Sequence, residues 1–303
     1  FKVSKKAWKK GGSKMFVNVN TMVSVEDLIR GIIVQSGNDA CIAIAEGISG
    51  SEELFAEELN LLAKEIGMTN SSFTNATGWP DPDHLTTIQD LLTLTVRTIE
   101  DFPELYYYYA EKEFTYSGIK QLNRNPLLFN EINADGLKTG HTTLGGYGLV
   151  ASVLKNNRRL ILILNGLKRN KDRSNESERL IKVGFNQYKV IDLYDQNQTI
   201  TNLQVWGGRK KNVAVYSKES VNLTVPNRIK KDLVFTIKHY KPLLAPIEKD
   251  QKVADLIVKN KNAEIIKKFE LFSKNEVKKM SFFSKVYNNL KFLLLGDSIF
   301  KTE

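Results

Sequence analysis

The chain has 303 residues, 42% of them hydrophobic, and a formal net charge of +10 from 44 basic and 34 acidic side chains. That length and apolar content allow two domains with true cores and exclude a disordered tail, and a single cysteine, Cys41, excludes an internal disulfide framework. No apolar run reaches the roughly 18 residues of a spanning helix, and the scattered lysines lack zinc-finger spacing or an RNA-binding aromatic pattern, so nucleic acid is not an expected partner.

The opening "FKVSKKAWKKGGSK" has the texture of an interior segment, so the sequence is read as a fragment or processed form. In "TMVSVEDLIRGIIVQSGNDACIAIAEGIS", Ser24 three residues before Asp27 resembles a capping box, and Val25, Leu28, Ile29 and Ile32 fall on one helical face. The helix breaks at "QSGND", residues 35–39, where Gly37 and Asn38 disfavour helix and Asn38 or Asp39 can cap the next one, which carries Cys41 as a small buried residue. Residues 51–66 read as an amphipathic helix ended by Gly67. A polar loop, "TNSSFTNATGWPDPDH", follows, and Thr86 or Thr87 caps a helix running to about residue 100.

"KEFTYSGIKQL" reads as a hairpin turning at Ser117-Gly118. "YGLVASVL" and "RRLILILNGL", separated by "KNN", predict a tight antiparallel pair. "DRSNESERLIKVGFNQYKVI" returns to helical spacing through Leu180, Ile181, Phe185 and Tyr188. Strands and helices do not alternate as βαβ units, which predicts an α+β layer with an antiparallel sheet. From about residue 192 short β-type runs ("NVAVYS", "VNLTVP", "LVFTIKHY", "VADLIVK") predict a separate small β domain. In the tail, "MSFFSKVYNNLKFLLLGDSIFK", Phe282, Val286, Leu290, Leu293 and Leu294 share one helical face. It suits either a helix docked on its own domain or an interfacial membrane anchor.

The three histidines, His84, His141 and His239, lie far apart without metal-ligand spacing, so neither a metal nor a Ser-His-Asp relay is expected. Lys-Thr-Gly occurs once, at 138–140, whereas Ser-x-Asn occurs at Ser36, Ser220 and Ser273. Only Ser36 stands in a polar break between apolar helices, followed about 100 residues later by Lys-Thr-Gly at a strand start, the order expected of a serine acyl-transfer site.

Through "LIRGIIVQSGNDACIAIAEGISGSEE", "KEFTYSGIKQLNRNPLLF" and "DGLKTGHTTLGGYGLVAS", in order and along its whole length, the chain resembles the penicillin-binding D-alanyl-D-alanine carboxypeptidases. The resemblance implies a β-lactamase/transpeptidase-like domain at 1–191, a small β-rich domain at 192–277 and an amphipathic membrane-anchoring helix at 278–303. It implies serine-type removal of the terminal D-alanine from peptidoglycan stem peptides without a cofactor, inhibition by β-lactams, and a peripheral position on the periplasmic face of the cytoplasmic membrane. Alternatives are a β-lactamase or peptidoglycan endopeptidase on the same scaffold, or a non-catalytic cell-wall scaffold.

The implied catalytic residues are Ser36 as proton relay, Asn38 as substrate-backbone partner and Lys138 as the cation near the nucleophile. Lys138, Thr139, Gly140 and Arg124 bind substrate, with Arg173 added where the preceding loop departs from the family pattern. The backbone N–H of His141 supplies half of an oxyanion hole. The family's nucleophile lies in a Ser-x-x-Lys motif several tens of residues before Ser-x-Asn, a distance that here runs past Phe1. Ser-x-x-Lys matches at Ser117, Ser152 and Ser298 are in the number chance supplies, and none is assigned as nucleophile.

Overall fold

The computed structural model describes residues 1–229, 233–239 and 242–295. The chain divides into two compact units, Phe1–Phe185 and Asn186–Glu303.

The first unit opens with α1 (Lys5–Lys9), α2 (Val25–Ile33), α3 (Asn38–Ser49), α4 (Glu52–Glu65) and α5 (Ile88–Asp101). Their starts follow from capping chemistry: the hydroxyls of Ser24, Ser51 and Thr87 accept the N–H groups of Asp27, Leu54 and Asp90. Thr87, not Thr86, therefore caps α5. At α3 the cap differs from expectation. Gly37 occupies the N-cap without a side-chain bond, and Asp39 serves another purpose. Its buried carboxylate accepts the backbone N–H groups of Met15 and Phe16 at 2.9 Å, of Val17 at 3.2 Å and of Ala40 at 3.0 Å. It thereby ties the N-terminal loop to the head of α3, over a core of Val3, Met15, Val17, Leu28, Ile42 and Ala43.

The hairpin of β1 (Glu113–Tyr116) and β2 (Ile119–Leu122) turns where expected, with Ser117 and Gly118 at φ +49° and +75°. The sheet consists of β3 (Ala134–Thr142), β4 (Gly146–Lys155) and β5 (Arg158–Leu167), antiparallel in the order β3-β4-β5. Asn156 and Asn157, at φ +51° and +58°, make the tight turn between β4 and β5. α6 (Asn170–Gln187) follows. It stops short of the predicted helical stretch, because the alternating "YKVIDLY" pairs as a strand from Tyr188 onward.

The second unit holds β6 (Tyr188–Tyr194), β7 (Thr199–Trp206), β8 (Asn212–Tyr216), β9 (Val221–Pro226), β10 (Val234–Lys238), β11 (Leu243–Leu244), β12 (Lys252–Lys259) and β13 (Ile265–Ser273), then α7 (Phe282–Leu295). Six strands form one sheet in the order β10-β12-β13-β8-β7-β11, and β6 pairs with β9. Alternate residues, among them Val213, Val215, Leu223, Val225, Leu256 and Leu271, fill the core.

Asp39→Ala is expected to destabilise the first unit by about 2–4 kcal/mol, because it strands several buried N–H donors at once. A lowered denaturant midpoint checks this, and an unchanged midpoint contradicts it.

Candidate active site

Ser36, Asn38, Arg124, Lys138, Thr139, Gly140, His141 and Arg173, all eight residues expected at the site, line one cleft of about 1130 Å³ in the first unit. At its centre the Lys138 ammonium donates to the Ser36 hydroxyl at 2.8 Å and to the Thr139 carbonyl at 3.0 Å.

Ser36 sits in the break between α2 and α3 at φ +55°, the left-handed region that costs a non-glycine residue about 1–2 kcal/mol. The turn is pinned on both sides: the N–H of Gly37 donates to the Gly31 carbonyl at 2.9 Å, and buried Gln35 donates to the Phe114 carbonyl at 3.3 Å. Asn38 donates through Nδ2 to the Gly11 carbonyl at 2.9 Å, leaving Oδ1 as its available acceptor. Glycine is required opposite it, since Gly12 has φ +79° and a Cβ there would stand 2.7 Å from Asn38 Nδ2.

β3 delivers Lys138, Thr139, Gly140 and His141 along one strand, which pairs with β4 on one side only among the described residues. Its base is fixed by buried Asn125, which donates to the Gly136 carbonyl at 2.8 Å, and by the Arg159–Asp135 ion pair at 2.6 Å. The same asparagine places a cation. In "LNRNP", Asn123 and Asn125 are buried and bonded to each other at 2.9 Å, so Arg124 between them stays at the surface, reaching Ser13 Oγ at 2.5 Å. Arg173, at the start of α6, bonds Asn170 at 2.8 Å and lies over the Tyr147 ring. Its buried Nε has no hydrogen-bond partner among the described residues. Gly140 has open space where a Cβ would point, and the His141 ring packs on Tyr147 at 4.0 Å.

Three cations and, among the described residues, no carboxylate line the cleft. Burial pushes the Lys138 ammonium down to about 8, with the Arg124 and Arg173 charges acting in the same direction and Cys41 opposing them. Cys41 corrects an expectation: it is partly exposed and lines the cleft, its thiol pushed up to about 12 chiefly by burial. Sequence reasoning also missed Ser13, Tyr147, Asn170 and the loop residues Trp79 and His84, which share the cleft. Only Tyr147, opposite His141 in the β3–β4 register, had a signal that could have found it.

The other motif matches lie elsewhere. Ser117 is in the hairpin turn, and Ser152 is fully buried in β4 and bonded to Arg159. Ser220 precedes β9 and Ser273 is buried in β13, while Ser298 falls outside the described residues. Among the described residues no group of three or more His, Cys, Asp and Glu side chains could hold a metal ion.

Residues 1–168 match the Peptidase S11 family, D-alanyl-D-alanine carboxypeptidase, and residues 188–279 match the C-terminal domain of penicillin-binding protein 5. The chain belongs to the D-alanyl-D-alanine carboxypeptidase family. It is 37% identical over 294 residues to D-alanyl-D-alanine carboxypeptidase DacC of Escherichia coli K12, covering 94% of this chain and 73% of that protein. The structure of penicillin-binding protein 5 from Haemophilus influenzae matches with a TM-score of 0.85 at 36% identity, covering 92% of this chain and 82% of the other. Penicillin-binding protein D2 of Listeria monocytogenes in its ampicillin-bound form matches with a TM-score of 0.50 at 30% identity, over 54% of this chain and 68% of the other. The family's members are serine peptidases, so the chain is a hydrolase with a transpeptidase-like domain followed by a β-rich one.

A lysine held below its ordinary value destabilises the fold wherever it must stay charged. Between about pH 8 and its ordinary value of 10.5 the unfolded chain binds the proton more tightly, so stability should gain from this group as pH rises through that window. Lys138→Met should remove that gain and be no less stable than the parent at pH 7. Equal pH slopes for the two proteins in denaturant titrations would contradict it.

Proposed function

We propose that Ser36, Asn38, Lys138, Thr139, Gly140, His141, Arg124 and Arg173 carry the carboxypeptidase chemistry of this family on a peptidoglycan stem peptide ending in D-Ala-D-Ala. The observation that supports this most is the charge of the cleft: Lys138, Arg124 and Arg173 line it without a carboxylate among the described residues. A free C-terminal carboxylate is the anion such a site favours, and an internal peptide bond offers none. Thr139 adds a hydroxyl donor. An extended peptide can pair with the open edge of β3, and Gly140 leaves room for its close approach.

In this reading a serine of a Ser-x-x-Lys segment ahead of Phe1, giving up its hydroxyl proton to the neutral lysine of the same motif, attacks the carbonyl of the penultimate D-alanine. The carbonyl oxygen becomes an oxyanion held by the His141 backbone N–H, and the C–N bond to the terminal D-alanine breaks. Ser36 Oγ, already bonded to the Lys138 ammonium, passes a proton to the leaving amine. Asn38 Oδ1 accepts an N–H from the peptide backbone. Water then hydrolyses the acyl-enzyme, and a β-lactam that acylates the same serine blocks this step.

An apolar trough of about 410 Å³, lined by Ile33, Leu91, Leu94, Leu137, Leu149 and Ile163, adjoins the cleft at Lys138 and Thr139 and suits an apolar helix carrying that serine. In β5 the five-residue run Leu160–Leu164 reads as buried on both faces, yet every one of its residues is only partly buried among the described residues. A covering segment would complete the burial.

For residues 192–277 and 278–303 we propose a β-rich spacer and a helix that adsorbs to the periplasmic face of the cytoplasmic membrane. Phe282, Phe283, Leu293 and Leu294 on α7 are between 74% and 84% exposed, an arrangement that suits insertion into an interface.

In the enzyme carrying the upstream segment, Lys138→Ala should lower D-alanine release from a D-Ala-D-Ala peptide by roughly 10²–10³-fold, the scale of losing one charged contact to the reacting groups in a water-poor site. The parent's rate should fall as pH rises through about 8, as the ammonium deprotonates. An unaffected rate in the variant would remove Lys138 from the site, and rapid penicillin turnover without D-alanine release would favour a β-lactamase.

A further inference from the structure

The geometry points to a binding surface for anionic phospholipid headgroups on the second unit, a groove of about 820 Å³ lined by Arg209, Lys210, Lys249 and Lys278 at the base of α7. The inference rests on the proposal that α7 adsorbs to a membrane, and it adds a headgroup site formed by the β-rich unit itself.

Charge is divided unequally between the units. Residues 1–185 carry 22 basic and 22 acidic side chains, whereas residues 186–303 carry 22 basic and 12 acidic. The difference, 22 − 12 = +10, accounts for the whole net charge of the chain. Scattered as the lysines are in sequence, their surplus therefore lies entirely on the unit that bears the exposed apolar helix.

Within that unit the groove gathers four of the cations. Arg209, Lys210, Lys249 and Lys278 are all exposed, and among the described residues Arg209, Lys210 and Lys249 make no ion pair. Lys278 pairs with Glu276 at 3.3 Å, and Glu248 is the second carboxylate of the groove, so cations outnumber anions four to two. The floor is rigid. Ile247 and Val277 are buried and bridged to each other, Gly208 is bridged to Lys279, and the N–H of Arg209 donates to the Lys278 carbonyl at 2.8 Å. The N–H of Met280 donates to the Gly207 carbonyl at 2.9 Å, and α7 begins two residues later at Phe282. The chain that forms the groove is therefore the chain that launches the helix.

A phosphate diester between lipid tails is the ligand this combination selects. The cations receive the phosphate at headgroup level while the neighbouring Phe282 and Phe283 enter the acyl boundary. Apolar insertion and headgroup attraction are the two signals that stable peripheral binding requires.

The test is sedimentation of the full enzyme with vesicles of phosphatidylethanolamine containing phosphatidylglycerol, and with neutral phosphatidylcholine vesicles. Arg209→Gln/Lys210→Gln/Lys249→Gln should weaken binding to the anionic vesicles on the order of a hundredfold, from ~1 kcal/mol per removed cation, and leave binding to the neutral ones unchanged. A control with the same charge loss, Lys252→Gln/Lys267→Gln/Lys268→Gln, should lose far less. Equal losses in the two variants would overturn the groove as a site and leave only diffuse attraction. Parent-like binding by the groove variant, alongside lost binding after deletion of residues 280–303, would overturn the groove but keep the helix. If deletion leaves binding to anionic vesicles intact and the groove variant abolishes it, the groove stands and the helix reading falls. Reduced sedimentation of the groove variant with peptidoglycan sacculi but not with vesicles would overturn the lipid assignment in favour of the cell wall.

Discussion

The candidate site is organised around one desolvated ammonium, Lys138, held 2.8 Å from the hydroxyl of Ser36 with no carboxylate lining the cleft among the described residues. Placing a cation there beside two arginines is electrostatically unfavourable, and the depressed proton affinity of Lys138 reflects burial first and the arginines next. A core lysine would ordinarily be paired with an acid. Leaving it unpaired is a cost to the empty fold, and under the proposed function the anionic end of a substrate would offset it.

The two partners are 102 residues apart in sequence, and separate parts of the first unit hold each of them in place. On one side, buried Asp39 and the Gly37–Gly31 backbone bond hold a left-handed Ser36 between two helices. On the other, Asn125 and the Arg159–Asp135 pair fix the base of β3 so that Lys138 leaves the sheet at the right height. Neither side can slip alone. A one-residue change of register in β3 would turn Lys138 to the opposite face.

Much of this was legible in the sequence where local chemistry decides the outcome. Ser24, Ser51 and Thr87 cap helices because their hydroxyls accept a first-turn N–H that the helix leaves unpaired, and Ser117-Gly118 and Asn156-Asn157 turn because their residues accept positive φ. The eight residues expected from motif order and family resemblance line one cleft. What stayed hidden depends on distant contacts. Asp39 looked like a cap but serves a loop more than twenty residues earlier, Cys41 looked like core but borders the cleft, and Tyr188 fitted a helical period until pairing with β9 claimed it. The charge division can be counted from the sequence once a boundary near residue 191 is expected; the fold adds which of those cations share a groove.

The claim that Ser36 and Lys138 act as one device is tested most directly by a double-mutant cycle on D-alanine release from a D-Ala-D-Ala peptide, using the enzyme with its upstream segment. If the two form a single proton-relaying pair, Ser36→Ala and Lys138→Ala should each lower kcat/KM strongly, and the double variant should fall little further than the worse single one. Losses that multiply independently would contradict the account.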